Sequence, residues 1–150
     1  MMAGRVTTQQ FRTRDVPENA DAARARDARA AEERSRLRER YAELIARFSD
    51  PAERDSEESR FAHRRYAKIM TMDSGHQLRA ALTMLEQGQQ LTGAEVAAIV
   101  VGAEHGDAGV DAVRTLIERS AQLPAPGIAD AIRDYVRESK APRFAPLREH

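Results

Sequence analysis

The chain contains no cysteine and no tryptophan, and only 5% of its residues are aromatic. Without cysteine it can form no disulfide, no thiolate nucleophile and no Cys-ligated zinc site. We expect a core of leucine, isoleucine, valine and alanine, packed at short range between helices. The absence of cysteine also agrees with a reducing compartment.

Long apolar runs are missing as well. A helix that spans a bilayer needs about 20 consecutive apolar residues, and no segment approaches that length. Residues 1–10 lack the apolar stretch of a secretory signal. We therefore expect a cytoplasmic protein that makes no membrane contact.

Basic residues are scarce over one long stretch. Of the 24 lysine and arginine residues only Lys68 and Lys140 are lysines, and residues 80–113 contain neither lysine nor arginine. That segment carries five acidic residues, whereas residues 60–79 carry five basic residues against Asp73 alone. The net charge of zero is thus a cancellation between blocks, so a charged partner would meet different signs on different surfaces.

Capping signals and helical periodicity predict an all-α protein, a small bundle of about five to six helices with a long charged N-terminal helix and mobile termini. The predicted parts are a flexible arm at 1–16, the long helix at 17–49, a helical bundle domain at 50–139 and a flexible tail at 140–150. Either Asp15 or Asn19 can cap the start of the long helix.

The last four turns of the long helix carry large apolar side chains at heptad-like spacing, namely Leu37, Tyr41, Leu44 and Phe48. Intervals of four and three residues place them on one face, which is the pattern that one helix presents to another. We expect these residues to bind a protein partner, either a second copy of the chain in a coiled coil or oligomer, or a larger complex.

The next helix is predicted to open at Asp50-Pro51 and to run to Met72. Its predicted core face comprises Phe61, Ala62, Tyr66, Ile69 and Met72. Basic residues on and after this helix offer an alternative function, the binding of nucleic-acid phosphates by Arg60, Arg64, Arg65, Lys68 and Arg79. The competing explanation is that these cations pair with the acidic 80–113 segment, within the chain or in a neighbouring copy.

A well-capped apolar helix follows. The spacing of Thr92 and Glu95 predicts a capping box, and residues 93–103 are apolar nearly all round, which predicts a position at the centre of the fold. A short buried strand at 98–101 is the alternative, because periodicity cannot separate the two. Three glycines, Gly102, Gly106 and Gly109, predict a loop after this segment.

The segment L-T-G-A-E-V-A at 91–97, followed by Gly102, resembles the opening of helix-turn-helix domains of the excisionase and MerR-like type. The resemblance implies that a second helix lies in the DNA major groove. Here the connection after Gly102 is longer than the usual turn, and Asp107 and Asp111 precede the first cation of that helix. A degenerate helix-turn-helix at 91–119 is thus a further form of the nucleic-acid alternative.

Sites for chemistry are few. None of the histidines His63, His76, His105 and His150 has a metal-ligand spacing. The nearest candidate is Glu104-His105-Gly106-Asp107 with Asp111, which could hold a divalent ion or a general base, although Asp107 is also the expected cap of the next helix. We expect no catalytic residue, no cofactor, no metal and no small-molecule substrate. The sequence thus predicts a non-enzymatic helical interaction or assembly protein.

Overall fold

The computed structural model describes the backbone of residues 2–148 and, within it, the side chains of residues 19–106 and 109–148. This part of the chain is helical and contains no β-strand. Its α-helices are α1 (Met2–Arg47), α2 (Pro51–Arg54), α3 (Glu57–Met72), α4 (Ser74–Glu86), α5 (Gly93–His105), α6 (Asp107–Glu118), α7 (Ile128–Glu138) and α8 (Ala145–Arg148). Short 3-10 turns occupy Ser120–Gln122 and Pro142–Phe144. Among the described residues, no helix is both long enough and apolar enough to cross a bilayer.

The chain divides into two compact units, Met1–Arg36 and Leu37–His150. In the first unit, residues 19–36 are mostly exposed, and their ion pairs join neighbouring turns, such as Arg36 with Glu32 at 2.7 Å. Such exposed pairs stabilise a helix weakly. The helical backbone begins at Met2, upstream of the caps expected at Asp15 and Asn19, because a capping residue favours a start without preventing helix before it. The side chains of residues 1–16 lie outside the described ones, and their flexibility stays a prediction.

Helix α5 is the centre of the second unit, as predicted. Every residue from Val96 to Val101 is buried, and these residues are helical, so the alternative of a short strand at 98–101 is wrong. The helix can be surrounded because it presents apolar side chains in every direction.

The predicted loop at the three glycines is also wrong, since only Gly106 lies between helices. Gly102 belongs to α5, and a Cβ there would lie 2.7 Å from Leu78 of α4. Gly109 belongs to α6, and a Cβ there would lie 2.5 Å from the Cα of Ala103. These two glycines allow neighbouring helices to approach α5 closely, which is a different use of glycine from the turn that the sequence suggested.

The bundle contains more helices than the five to six expected. The predicted helix from Pro51 to Met72 is divided, because Ser56 starts α3 anew by accepting a hydrogen bond from the backbone N–H of Ser59 at 3.1 Å. The tail differs too. Residues 142–148 form helical turns that bury Phe144 and Leu147 in the core, and the burial of these two large apolar side chains favours the ordering of the segment.

Candidate interaction surface

The predicted partner-binding residues lie in this chain's own core. Tyr41, Leu44 and Phe48 are buried, and Leu37 is partly buried and packs against them. The heptad spacing did identify one face of α1, but residues of the same chain cover that face. In this conformation these side chains offer a partner little exposed area, and their role as partner anchors stays a prediction.

A polar network supports the buried face of α1. Arg40 donates to both carboxylate oxygens of Glu104 on α5 at 2.5 Å and to the hydroxyl of Tyr135 on α7. The Tyr135 hydroxyl in turn donates to Glu104. The Glu104 side chain is only 5% exposed, and Arg40 compensates its charge, since an uncompensated buried carboxylate is costly.

The pKa values of the network follow from its burial and charges. Burial raises the pKa of Tyr135 to about 12, and the hydrogen bond to Glu104 and that carboxylate's charge act in the same direction. Burial alone would lower the pKa of Arg40, but Tyr135 and Glu104 more than offset it, and the pKa is raised. Arg40 therefore stays charged and Tyr135 stays neutral across the physiological range.

Glu104 was a candidate metal ligand or general base, and this network uses its carboxylate. Asp111 pairs with Arg114 of its own helix at 3.2 Å, and the side chain of Asp107 lies outside the described ones. Among the described residues, no group of three carboxylates or imidazoles lies close enough together to hold a metal ion. Glu104 and Asp111 of this candidate site thus have separate partners.

A second polar region is a cavity of about 420 Å³ lined by His63, Ser49 and Thr92 among others. Ser49 Oγ lies 3.4 Å from His63 Nε2, and burial lowers the pKa of His63. The Ser49 hydroxyl, however, donates to the Ile45 carbonyl. Its proton is therefore not directed at the imidazole, as the activation of a serine nucleophile would require.

The core face predicted for α3 is wrong. Ala67 and Met70 are the buried residues of this helix, whereas Phe61 and Met72 are 66% and 75% exposed. The exposed large apolar side chains among the described residues are Phe61, Tyr66, Ile69 and Met72, all on α3. Apolar side chains occur on both sides of this helix, and the side with the small Ala67 faces inward because it lets α4 and α5 approach closely.

The outward side of α3 also carries cations. We call Phe61, Arg64, Arg65, Lys68 and Met72 the α3 stripe; at 100° per residue they share one side of the helix. None of its cations forms an ion pair or a hydrogen bond with another described residue.

The other two predicted phosphate-binding residues lie apart from the stripe. Arg60 donates to the backbone carbonyl of Asp55 at 2.7 Å, and Arg79 lies on α4. No ion pair joins the cations of 60–79 to the acids of 80–113 within the described residues. Pairing of these blocks inside one chain is therefore not observed there.

A groove runs beside the stripe. Phe61, Arg64, Arg65 and Lys68 line it together with Arg38, Glu39 and Ala42 of α1, and its volume is about 790 Å³. The aliphatic parts of the long basic side chains add apolar surface to that of Phe61 and Ala42. The groove is open and predominantly basic, with Glu39 as its acidic member.

The exposed side chains of α5 and α6 do not favour the DNA binding that the helix-turn-helix resemblance implies. Helix α5 is buried over nearly its whole length, and the exposed side chains described on α6 are Asp111 and Glu118. A helix that enters the major groove must approach phosphates, which carboxylates repel. Helices α5 and α6 are joined by Gly106 alone, so the connection is shorter than the sequence indicated.

The comparisons with known proteins give no assignment. No protein-family model matches the chain, and neither the curated proteins nor the solved structures include a significant match.

Proposed function

We propose that this protein is a non-enzymatic interaction module that binds a protein partner through the α3 stripe and the groove beside it. The observation that carries the proposal is the exposure of Phe61 and Met72 on the same side of α3 as Arg64, Arg65 and Lys68. Exposed apolar side chains grouped on one helix are typical of docking sites, whereas singly scattered ones are not.

The chemistry of the surface defines the partner. Phe61 and Met72 favour an apolar contact, and the cations that lack partners among the described residues favour a carboxylate-bearing one. Both requirements are met by a helix or loop that carries apolar and acidic side chains together. Arginine suits this role because its planar guanidinium can bind a carboxylate with two hydrogen bonds.

Site-specific photo-crosslinking tests the proposal. Benzoylphenylalanine replaces Phe61 and, in a matched control, Glu118, which is exposed on α6. After irradiation in the cells that make the protein, we expect protein adducts from position 61 and none from position 118. Equal adducts from both positions, or none from position 61, would refute docking through α3.

A second candidate function is the binding of nucleic acid, and one specific observation favours it. Phe61 is exposed among cations without described partners, and an aromatic ring between cations can stack on a base while they contact phosphates.

Fluorescence anisotropy with a labelled single-stranded oligonucleotide tests this second candidate. Replacement of Arg64, Arg65 and Lys68 by alanine should weaken binding and lower the slope of log affinity against log salt by about 2. The control replaces Arg119 and Lys140, which are exposed elsewhere. Binding that is independent of salt would contradict this candidate.

A further inference from the structure

The charges on α3 are arranged symmetrically about Phe61. Glu57 and Glu58 precede it by four and three residues, and Arg64 and Arg65 follow it by three and four. All four charged side chains are exposed, and all lie within about 60° of Phe61 around the helix axis. Along the helix axis, one side of α3 is therefore acidic, then aromatic, then basic.

Interactions within the helix account for only part of this pattern. Acidic residues in the first turn are stabilised by the helix dipole, which suffices for Glu57 and Glu58. The cations, however, lie in the middle of α3, and its last turn contains no basic residue. The dipole effect is confined to the terminal turns, so it does not explain Arg64 and Arg65.

Ion pairs along the helix do not explain the pattern either. A cation four residues after Glu57 or Glu58 would occupy position 61 or 62, where the chain has Phe61 and Ala62, and Arg60, three residues after Glu57, donates to a backbone carbonyl instead. Neither acid forms an ion pair with a described residue. Both signs of charge are thus left available to another molecule.

We propose that the partner of α3 is a second copy of this chain, bound antiparallel so that the two Phe61 side chains meet at a two-fold axis. This inference rests on the proposed function, since it names the occupant of the same surface. An isologous contact requires a self-complementary patch, and a helix side that is acidic before its central aromatic residue and basic after it has this property.

The helix geometry assigns the pairs. Residues seven apart lie on nearly the same side of a helix, so Glu57 shares one flank of Phe61 with Arg64, and Glu58 shares the other flank with Arg65. In the antiparallel pair Glu57 faces the second copy's Arg64, and Glu58 faces its Arg65. The paired positions differ along the axis by one residue, about 1.5 Å.

Lys68 and Met72 have a smaller part in this arrangement. They lie seven and eleven residues after Phe61, whereas α3 of the second copy extends only four residues before its own Phe61, to Glu57. Neither residue therefore lies opposite a residue of that helix. Lys68 should therefore contribute less to self-pairing than either arginine, whereas nucleic-acid binding would use all three cations alike.

Charge exchange tests the pairing. Arg64→Glu with Arg65→Glu makes the α3 side acidic, and Glu57→Arg with Glu58→Arg makes it basic. We expect each double variant alone to dissociate at least about tenfold more readily than the wild type, and an equimolar mixture of the two to form a heterodimer. Sedimentation equilibrium up to about 1 mM protein measures this, with circular dichroism to verify that each variant is folded.

Spin-label distances test the register independently. Since the chain contains no cysteine, Lys68→Cys or Met72→Cys gives a single labelling site. The two labels of an antiparallel dimer centred on Phe61 should be about 21 Å apart along the axis at position 68 and about 33 Å at position 72. Equal distances at the two positions would indicate a parallel pair and overturn the proposal.

The remaining outcomes separate this inference from the function it rests on. A wild type that is monomeric at all concentrations, with photo-adducts to another protein at position 61, overturns self-pairing and leaves docking through α3 intact. A monomer without protein adducts overturns both. A nuclease-sensitive adduct, together with equal losses from Lys68→Glu and Arg65→Glu, overturns self-pairing in favour of nucleic acid.

Discussion

Helices α5 and α3 are both rich in apolar side chains but use them differently. In α5 the large apolar residues are buried and the neighbouring helices surround them. In α3 the buried residues are Ala67 and Met70, while Phe61 and Met72 are exposed. Apolar content alone therefore does not determine which side of a helix is buried. How closely the neighbouring helices must approach also matters, and small side chains permit the closest approach.

The same substitution in the two helices should have very different effects. Ile99 in α5 is fully buried, so Ile99→Ala leaves a cavity and should lower the free energy of unfolding by about 2–5 kcal/mol. Ile69 in α3 is 38% exposed, so Ile69→Ala removes less buried surface and should lower the free energy of unfolding by about 1 kcal/mol or less. Urea unfolding followed by circular dichroism measures both, and similar losses would contradict the contrast between the helices.

Close packing against α5 gives the next largest effect. Gly109→Ala places a Cβ against the backbone of Ala103 and should lower the free energy of unfolding by about 1–3 kcal/mol. Gly75→Ala on α4 is the matched control, because a Cβ there meets nothing within 4 Å. The control should instead stabilise the protein by up to about 1 kcal/mol through helix propensity. Stabilisation by both changes would show that α6 does not depend on the glycine.

The network that holds α1 beside α5 should contribute less. Tyr135→Phe removes the hydroxyl that joins Arg40 and Glu104 and should lower the free energy of unfolding by about 1.5 kcal/mol at pH 7. Tyr66→Phe on the exposed part of α3 is the control and should have almost no effect. Chemical denaturation is the measurement, and equal values for the two variants would be inconsistent with the network.

Because of the same hydroxyl, we expect the free energy of unfolding to depend on pH in the alkaline range. The folded-state pKa of Tyr135 is raised from 10.0 to about 12, so between these values the unfolded chain loses a proton that the folded chain keeps. The contribution of this group to the free energy of unfolding is fully present below pH 10 and is lost as the pH rises toward 12. Its size is on the order of 1–2 kcal/mol. The wild type should lose more stability than Tyr135→Phe between pH 9 and about 11.5. Parallel losses in the two proteins would disprove the assignment to Tyr135.

The smallest effect on stability is expected in the α3 stripe. Phe61→Ser should change the free energy of unfolding by less than about 0.5 kcal/mol, because its ring is largely exposed. It should nevertheless abolish the association proposed for α3. Thermal unfolding and sedimentation of the same sample separate the two properties. A large loss of stability would place Phe61 in the core, as the periodicity had suggested.

The sequence predicted the all-α class and the central position of α5, where every residue from Val96 to Val101 is buried. These features are local: a helix that is apolar all round, or strongly so on one side, has only one favourable placement. The predicted face of α1 was likewise an apolar face, but its spacing could not tell whether the covering residues belong to this chain or to another.

The candidate surface was predictable only in its charges. Arg64, Arg65 and Lys68 were identified from the sequence, but Phe61 and Met72 were placed in the core instead of beside them. Glu104 and Tyr135 gave no sign of their contact, since they are 31 residues apart and meet only when α5 and α7 pack together.

The amino-acid sequence by itself determined the all-helical class, most of the helical segments and the distribution of charge, because propensity, capping and periodicity act over a few residues. The tertiary structure alone decided which side of α3 faces outward and which carboxylate Arg40 meets. It also decided that Gly102 and Gly109 join helices rather than form a loop. These outcomes depend on distances between segments far apart in the chain, and only the packing of the helices sets those distances.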